Sequence, residues 1–165
     1  MSVWLERIFM RRIIPVVLFI VAGLLPINDV LAEPPAAIYK SSNDFSDVVE
    51  ALKFAIEDHG LFINNVMHMG DMLERTGKDL GFEKPVYLRA ESFEFCSALL
   101  SRRMLQEDPA RIVNCPFIIS VYVLPDQPDT TYLAHRILAK PGEQGIMGEI
   151  AATLKEIATS AAEGW

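Results

Sequence analysis

From Phe45 onward, apolar residues recur at Val48, Val49, Leu52 and Ile56, while Glu50, Lys53, Glu57 and Asp58 occupy the other side. That spacing predicts an amphipathic helix. His59-Gly60 ends it, because glycine enters the left-handed region without a Cβ penalty. Ahead of it, Ala36 to Tyr39 is a short apolar run for a first strand, and Ser41 to Asp44 supply turn and capping chemistry. Leu61 to Met69 alternates and predicts a second strand, with Leu61, Ile63, Met67 and Met69 on one face and Phe62, Val66 and His68 on the other. Asp71 to Leu80 reads as a short helix stopped by Gly81.

The stretch Glu91 to Pro125 holds both cysteines and the densest apolar run. Val86 to Ala90 is a third strand feeding it. Cys96, Leu99, Leu100 and Met104 then mark the buried stripe of a helix that closes at Asp108-Pro109, since the residue before proline is pushed out of helical space. Ile112 to Leu124 reads as a long strand, with Pro116 tolerated near its start. Pro125 to Asp129 is a turn, so Thr130 to Ala139 should return antiparallel. After Pro141, Gly142 and Gly145, a last helix sets Ile146, Ile150, Leu154, Ile157, Ala158 and Ala161 on one stripe. The predicted fold class is α+β: a single antiparallel or mixed sheet of about five strands, two long helices packed on one face, and short helices at the edges.

Residues 1–32 stay outside that fold, because they have the parts of a secretory signal peptide. Arg7, Arg11 and Arg12 are the charged start, and Ile13 to Leu25 is an apolar core of thirteen residues. A spanning helix needs about 20. Val30 and Ala32 suit a signal peptidase, so cleavage after Ala32 is expected, with residues 33–165 forming one domain in the periplasm or secreted medium. The residues after Arg11-Arg12 fit a twin-arginine signal poorly, which favours ordinary unfolded export. Losing three arginines with Glu6 and Asp29 takes the formal net charge from −7 to −8. Nucleic acid and anionic membrane are therefore excluded as partners, since both require a basic face. Membrane contact is expected only through the signal segment before cleavage.

Three parts of the remaining chain resemble one family: the helix ending in glycine before an apolar strand (Leu52 to Gly60), the cysteine turn and helix closing on Glu-Asp-Pro (Cys96 to Pro109), and the strand after proline that leads into Val-Tyr (Pro116 to Tyr122). The resemblance is to the bacterial domain of unknown function 302, and it covers nearly the whole predicted domain. Ser97-Ala98 and Cys115-Pro116 depart from the family's pattern at the turn. The resemblance implies a compact α+β domain that forms homodimers, with no established activity.

Cys96 and Cys115 are the only cysteines. In an oxidising compartment they have three readings: a structural disulfide, a pair of buried small apolar residues, or a reactive thiol at Cys96 near a helix N-terminus. If their strands run antiparallel, both lie at one end of the sheet. There is no CxxC. Met67, His68, Met69 and Met72 suggest soft-metal chemistry, and thioether with imidazole suits copper(I). Neighbours on a strand face opposite ways, however, and methionine commonly fills cores. His135 sits mid-strand and could share a sheet face with His68, giving His68, Met72 and His135 as metal ligands or two imidazoles for a non-covalent haem. His59 suits the helix C-terminus.

No nucleophile elbow, phosphate loop or HExxH marks an enzyme. The expectation is an exported, non-catalytic binding or accessory domain for a small ligand or cofactor, with ligand-binding residues His68, Cys96 and His135. A thiol-disulfide protein using Cys96 and Cys115, or a structural homodimer module, are the alternatives.

Overall fold

The structure, a computed structural model, describes residues 36–164; the expected signal peptide and its cleavage point lie outside them. The elements are β1 (Ala36–Ser41), α1 (Phe45–Asp58), β2 (Phe62–Met67), α2 (Met69–Asp79), β3 (Arg89–Cys96), α3 (Ala98–Glu107), a 3₁₀ turn (Pro109–Asn114), β4 (Phe117–Leu124), β5 (Gln127–Arg136) and α4 (Ile146–Glu163). The strands form one sheet in the order β1-β5-β4-β3-β2, and every neighbouring pair is antiparallel.

Register decides which residues share a face. Phe93 pairs with Ile119 and Phe95 with Phe117, while Val121 pairs with Leu133. All of these are buried beneath α1 and α4, which pack together over this side with Leu52, Ile56, Ile150 and Ile157 inside. Ser92, Glu94, Ile118, Ser120, Ala134 and Arg136 alternate with them and lie on the opposite face. The core is therefore one-sided, as an antiparallel sheet allows.

Local chemistry sets the boundaries. Gly60 takes φ 68° beyond α1; its N–H donates to the Glu57 carbonyl and that of Leu61 to the Ile56 carbonyl. This pair of hydrogen bonds satisfies two of the last helical carbonyls in the Schellman pattern. Ser97 accepts the Leu100 N–H to cap α3, and Asp108 accepts that of Ala110 to start the 3₁₀ turn. A Cβ on Gly70 would lie 2.9 Å from the Ala90 backbone nitrogen, so α2 sits close against β3.

Several sequence expectations shift. The third strand spans Arg89–Cys96 rather than Val86 to Ala90, so Cys96 ends a strand instead of opening a helical stripe. Leu99, expected inside, is 67 % exposed, and the buried positions of α3 are Leu100 and Met104. The segment from Ile112 is a 3₁₀ turn, and β4 starts after Pro116, whose peptide bond with Cys115 is cis. In β2 the register shifts between Ile63 and Asn65, which turns Ile63 and Val66 to the covered face. One extra residue in a strand breaks the period of two on which the sequence reading relied.

Phe93 is completely enclosed. Phe93→Ala should lower unfolding free energy by about 3–5 kcal/mol in urea titration with little change in slope. Phe82→Ala, at a ring that is 67 % exposed, should stay within about 0.5 kcal/mol.

Candidate functional site

Antiparallel pairing brings the last residue of β3 beside the first of β4, since Phe95 lies opposite Phe117. Cys96 and Cys115 flank that rung. Their Sγ atoms are 3.5 Å apart, and both are half-buried free thiols. A covalent bond needs about 2.05 Å. Ser101, one turn into α3, brings its Oγ to 3.5 Å from Cys115 Sγ. Burial pushes the Cys96 thiol up, and so do the hydrogen bond to Cys115, the charge of Cys115 and that of Glu94; a hydrogen bond with Asn64 pulls the other way.

Beside this pair opens a cleft of about 400 Å³. Val113, Phe117, Ile118, Leu138 and Leu154 give it apolar walls, and Cys115 stands in its lining. Ile118, Ser120, Ala134 and Arg136 contribute from the uncovered face of the sheet, so the cleft opens at the sheet's end and onto that face. Its size lies within the range of about 300–1,000 Å³ typical of small-ligand sites.

Of the two candidate histidines, His135 also lines this cleft, whereas His68 lies elsewhere. His135 is buried on the covered face, opposite Ile119 and Ala37. Its Nδ1 is 3.0 Å from the Arg136 carbonyl, which can only accept, so Nδ1 carries the proton. Nε2 then accepts from the Tyr39 hydroxyl at 3.0 Å, with the two rings stacked 5.6 Å apart. Burial pulls the His135 pKa down, outweighing the hydrogen bond to Arg136. Both ring nitrogens are committed, and neither is free for a metal or a haem iron.

His68 is not a strand residue. It precedes the first turn of α2, is largely exposed, and has Nδ1 3.6 Å from Glu91. Three strand spacings separate β2 from β5, about 14 Å at roughly 4.8 Å each. The structure thus sets His68 apart from Cys96 and His135 and does not gather His68, Met72 and His135 into a metal centre, while His135 and Cys115, the neighbour of Cys96, line one cleft. The sequence reading placed His68 mid-strand and gave both histidines one face; the register shift in β2 and the intervening strands undo that arrangement. Among the described residues, no cluster of three or more His, Cys, Asp or Glu could hold a metal ion. His59 donates from Nδ1 to the Ala55 carbonyl at 2.8 Å, in keeping with its place at the end of α1.

What the sequence reading missed is the cleft itself. Its wall combines an irregular segment with the ends of three strands, and no period announces such a junction. Val113 was readable as apolar but not as exposed: it is 74 % accessible because the 3₁₀ turn carries it out of the sheet. Ser101 gave no signal beyond lying five residues after Cys96, and its role is set by where β4 returns.

The sequence model of the family described as "Domain of unknown function DUF302" matches residues 38–161. The fold is similar to a crystal structure of an uncharacterized conserved protein DUF302 from Bacillus stearothermophilus, with a TM-score of 0.62 and 17 % identity over 77 % of this chain and 98 % of that one. No curated protein matches the chain. Among the described residues no helix is long and apolar enough to cross a membrane.

His135 binds its proton less readily folded than unfolded. Its contribution to stability is therefore complete above the ordinary histidine pKa of about 6.5 and is lost as pH falls toward the depressed folded value. Melting temperature should decline on acidification below about pH 6.5, and His135→Asn should remove that part of the decline while Tyr39→Phe retains it.

Proposed function

The chain belongs to the DUF302 family, and from that premise we propose that this member is an exported, non-catalytic binding domain that works as a homodimer and holds a small apolar ligand in the cleft beside Cys115. Export is supported by the charged start, short apolar core and Ala32 of residues 1–32. The observation that carries the binding reading is the apolar cleft of about 400 Å³ at the cysteine end of the sheet.

The second copy is supported by the uncovered face. Ala36, Arg136, Ile118, Glu94 and Asn65 occupy one rung across the five strands, with Ile118 in the middle. Arg136 and Glu94 sit one strand to either side of it, and among the described residues neither forms an ion pair within the chain. A two-fold axis lying between two such faces, along β4, sets Ile118 on its own copy and Arg136 over the partner's Glu94. That is the self-complementarity an isologous interface requires. Ile38, Ile118 and Met67 are exposed apolar residues on the same face and gain by being covered. Ile118 and Arg136 also line the cleft, so the second copy roofs it and removes the ligand from water.

Light scattering and titration with an apolar fluorescent probe test both halves. The wild type should be a dimer that binds the probe. Arg136→Glu opposes two carboxylates across the interface and should weaken dimerisation by about tenfold for each 1.4 kcal/mol lost, while adding Glu94→Arg should restore it. Ile118→Asp should be monomeric and lose most probe affinity. A wild-type monomer at all accessible concentrations sinks the homodimer, and a wild type that binds no apolar probe sinks the cleft reading.

A further inference from the structure

We propose that Cys96 and Cys115 form a two-electron dithiol site that reacts with a disulfide-containing molecule arriving through the cleft, with Cys115 attacking first and Cys96 resolving. The proposal deepens the binding reading and rests on it for one point alone, the route by which the disulfide reaches Cys115.

The roles follow from what each sulfur touches. Cys115 Sγ has two potential donors at 3.5 Å, the thiol of Cys96 and the hydroxyl of Ser101, so a thiolate there is hydrogen-bonded from two sides. It also lines the cleft, which Cys96 and Ser101 do not. Burial and then the hydrogen bond to Cys115 push the Cys96 thiol up, against a hydrogen bond with Asn64. The sulfur in the cleft wall is thus the one a ligand meets first, and the thiolate is the nucleophile.

The chemistry balances without a metal or cofactor. The Cys115 thiolate attacks one sulfur of an external disulfide, breaking that S–S bond; a mixed disulfide forms at Cys115, and the first thiol leaves with the proton Cys115 gave up. Cys96 then loses its proton and attacks Cys115 Sγ from 3.5 Å away, a separation typical of near-attack geometry. The second thiol leaves with that proton. Two cysteine thiols and one disulfide become one protein disulfide and two small thiols, and two electrons pass from the protein to the ligand. Oxidation draws the two sulfurs from 3.5 Å to bonding distance, which moves Cys115 in the cleft wall, so the redox state of the pair and the shape of the binding site are linked. An external dithiol reverses the sequence.

The setting fits such a partner. Leu99, Ile112 and Val113 are exposed apolar side chains on α3 and the 3₁₀ turn, the segments that link the two cysteines, and Val113 lines the cleft with Cys115. They would contact the non-sulfur part of a disulfide ligand without adding charge.

The test uses the chain as isolated, reduced and freed of reductant, with the aromatic disulfide 5,5′-dithiobis(2-nitrobenzoate) as probe. Wild type should release two equivalents of thiolate per chain without denaturant and lose the mass of two hydrogens. Cys96→Ser should stop after one equivalent, with the adduct mapped to Cys115, and Cys115→Ser should react about ten times more slowly at Cys96. Ser101→Ala should slow the first step and raise the pH midpoint of its rate, a shift that a merely structural role would not produce. The proposal is overturned if Cys115→Ser reacts as fast as Cys96→Ser, if wild type keeps a stable mixed adduct, or if the thiols react only after unfolding. Circular dichroism confirms that each variant is folded. Thiolate release without binding of the apolar probe refutes the cleft and leaves the dithiol standing, whereas probe binding with inert thiols does the reverse.

Discussion

The antiparallel pairing of β3 with β4 is the constraint from which the rest of the structure follows. On one side it stacks Phe93 on Ile119 and Phe95 on Phe117, the centre of the core. On the other it brings the Ser92 and Ser120 hydroxyls to 2.8 Å and leaves Ile118 beside Glu94. At its end it holds the two sulfurs at 3.5 Å. A parallel crossover over the same residues would separate the cysteines by about a strand length, roughly 17–20 Å. Core, uncovered face and thiol pair are thus three consequences of one register, and a slip by one residue would exchange the two faces at once.

The helical layer explains why only one face of that sheet is settled within the chain. α1 and α4 cover the Phe93 side with aliphatic residues and small alanines, and Ala158 and Ala161 are fully enclosed. Arg103 of α3 ties this layer together from outside through a carboxylate contact of 2.7 Å with Glu149 of α4. Exposed pairs of this kind contribute little, typically under about 1 kcal/mol, so the packing of the two long helices on the sheet carries the stability. Among the described residues the other face has no such layer: α2 packs on β3 at Ala90, and α3 joins the 3₁₀ turn at the sheet's end.

The long periodic segments were legible in the sequence because burial alone decides them. Phe45 to Ile56 and Ile146 to Ala161 show their stripes directly, and Gly60 announces the end of α1 by its backbone freedom. The hairpin of β4 and β5 was also readable from PDQPD between two apolar runs, although β5 begins within that segment at Gln127 and ends at Arg136, where the sequence reading gave Thr130 to Ala139. What was not legible depends on events that have no period. The register shift in β2 reassigns Val66 and removes His68 from the sheet. The 3₁₀ turn takes Ile112 and Val113 out of what looked like the longest strand. At β3 the signal was present but competed with another: Phe93 and Phe95 alternate with Ser92 and Glu94, yet the helical spacing of Cys96, Leu99, Leu100 and Met104 drew the reading forward. Ser97 resolves the competition, because its side chain caps α3 and thereby fixes the strand's end at Cys96.

His135 shows why residue type is a weaker guide to chemistry than environment. A mid-strand imidazole invites a ligand role, and its neighbours supply the opposite: one nitrogen donates to a carbonyl, the other accepts from Tyr39, and burial favours the neutral ring. It is a satisfied polar residue in an apolar layer, which is the condition for burying it at all. The cysteines reverse the comparison. As two residues nineteen positions apart they carry no motif, yet the fold gives Cys115 a hydroxyl neighbour, a thiol neighbour and access to the cleft. The setting of this pair is therefore a property of the returning strand: the turn over Pro109–Asn114 decides where Cys115 meets Ser101, and a change in that turn would alter the environment of both sulfurs without touching either.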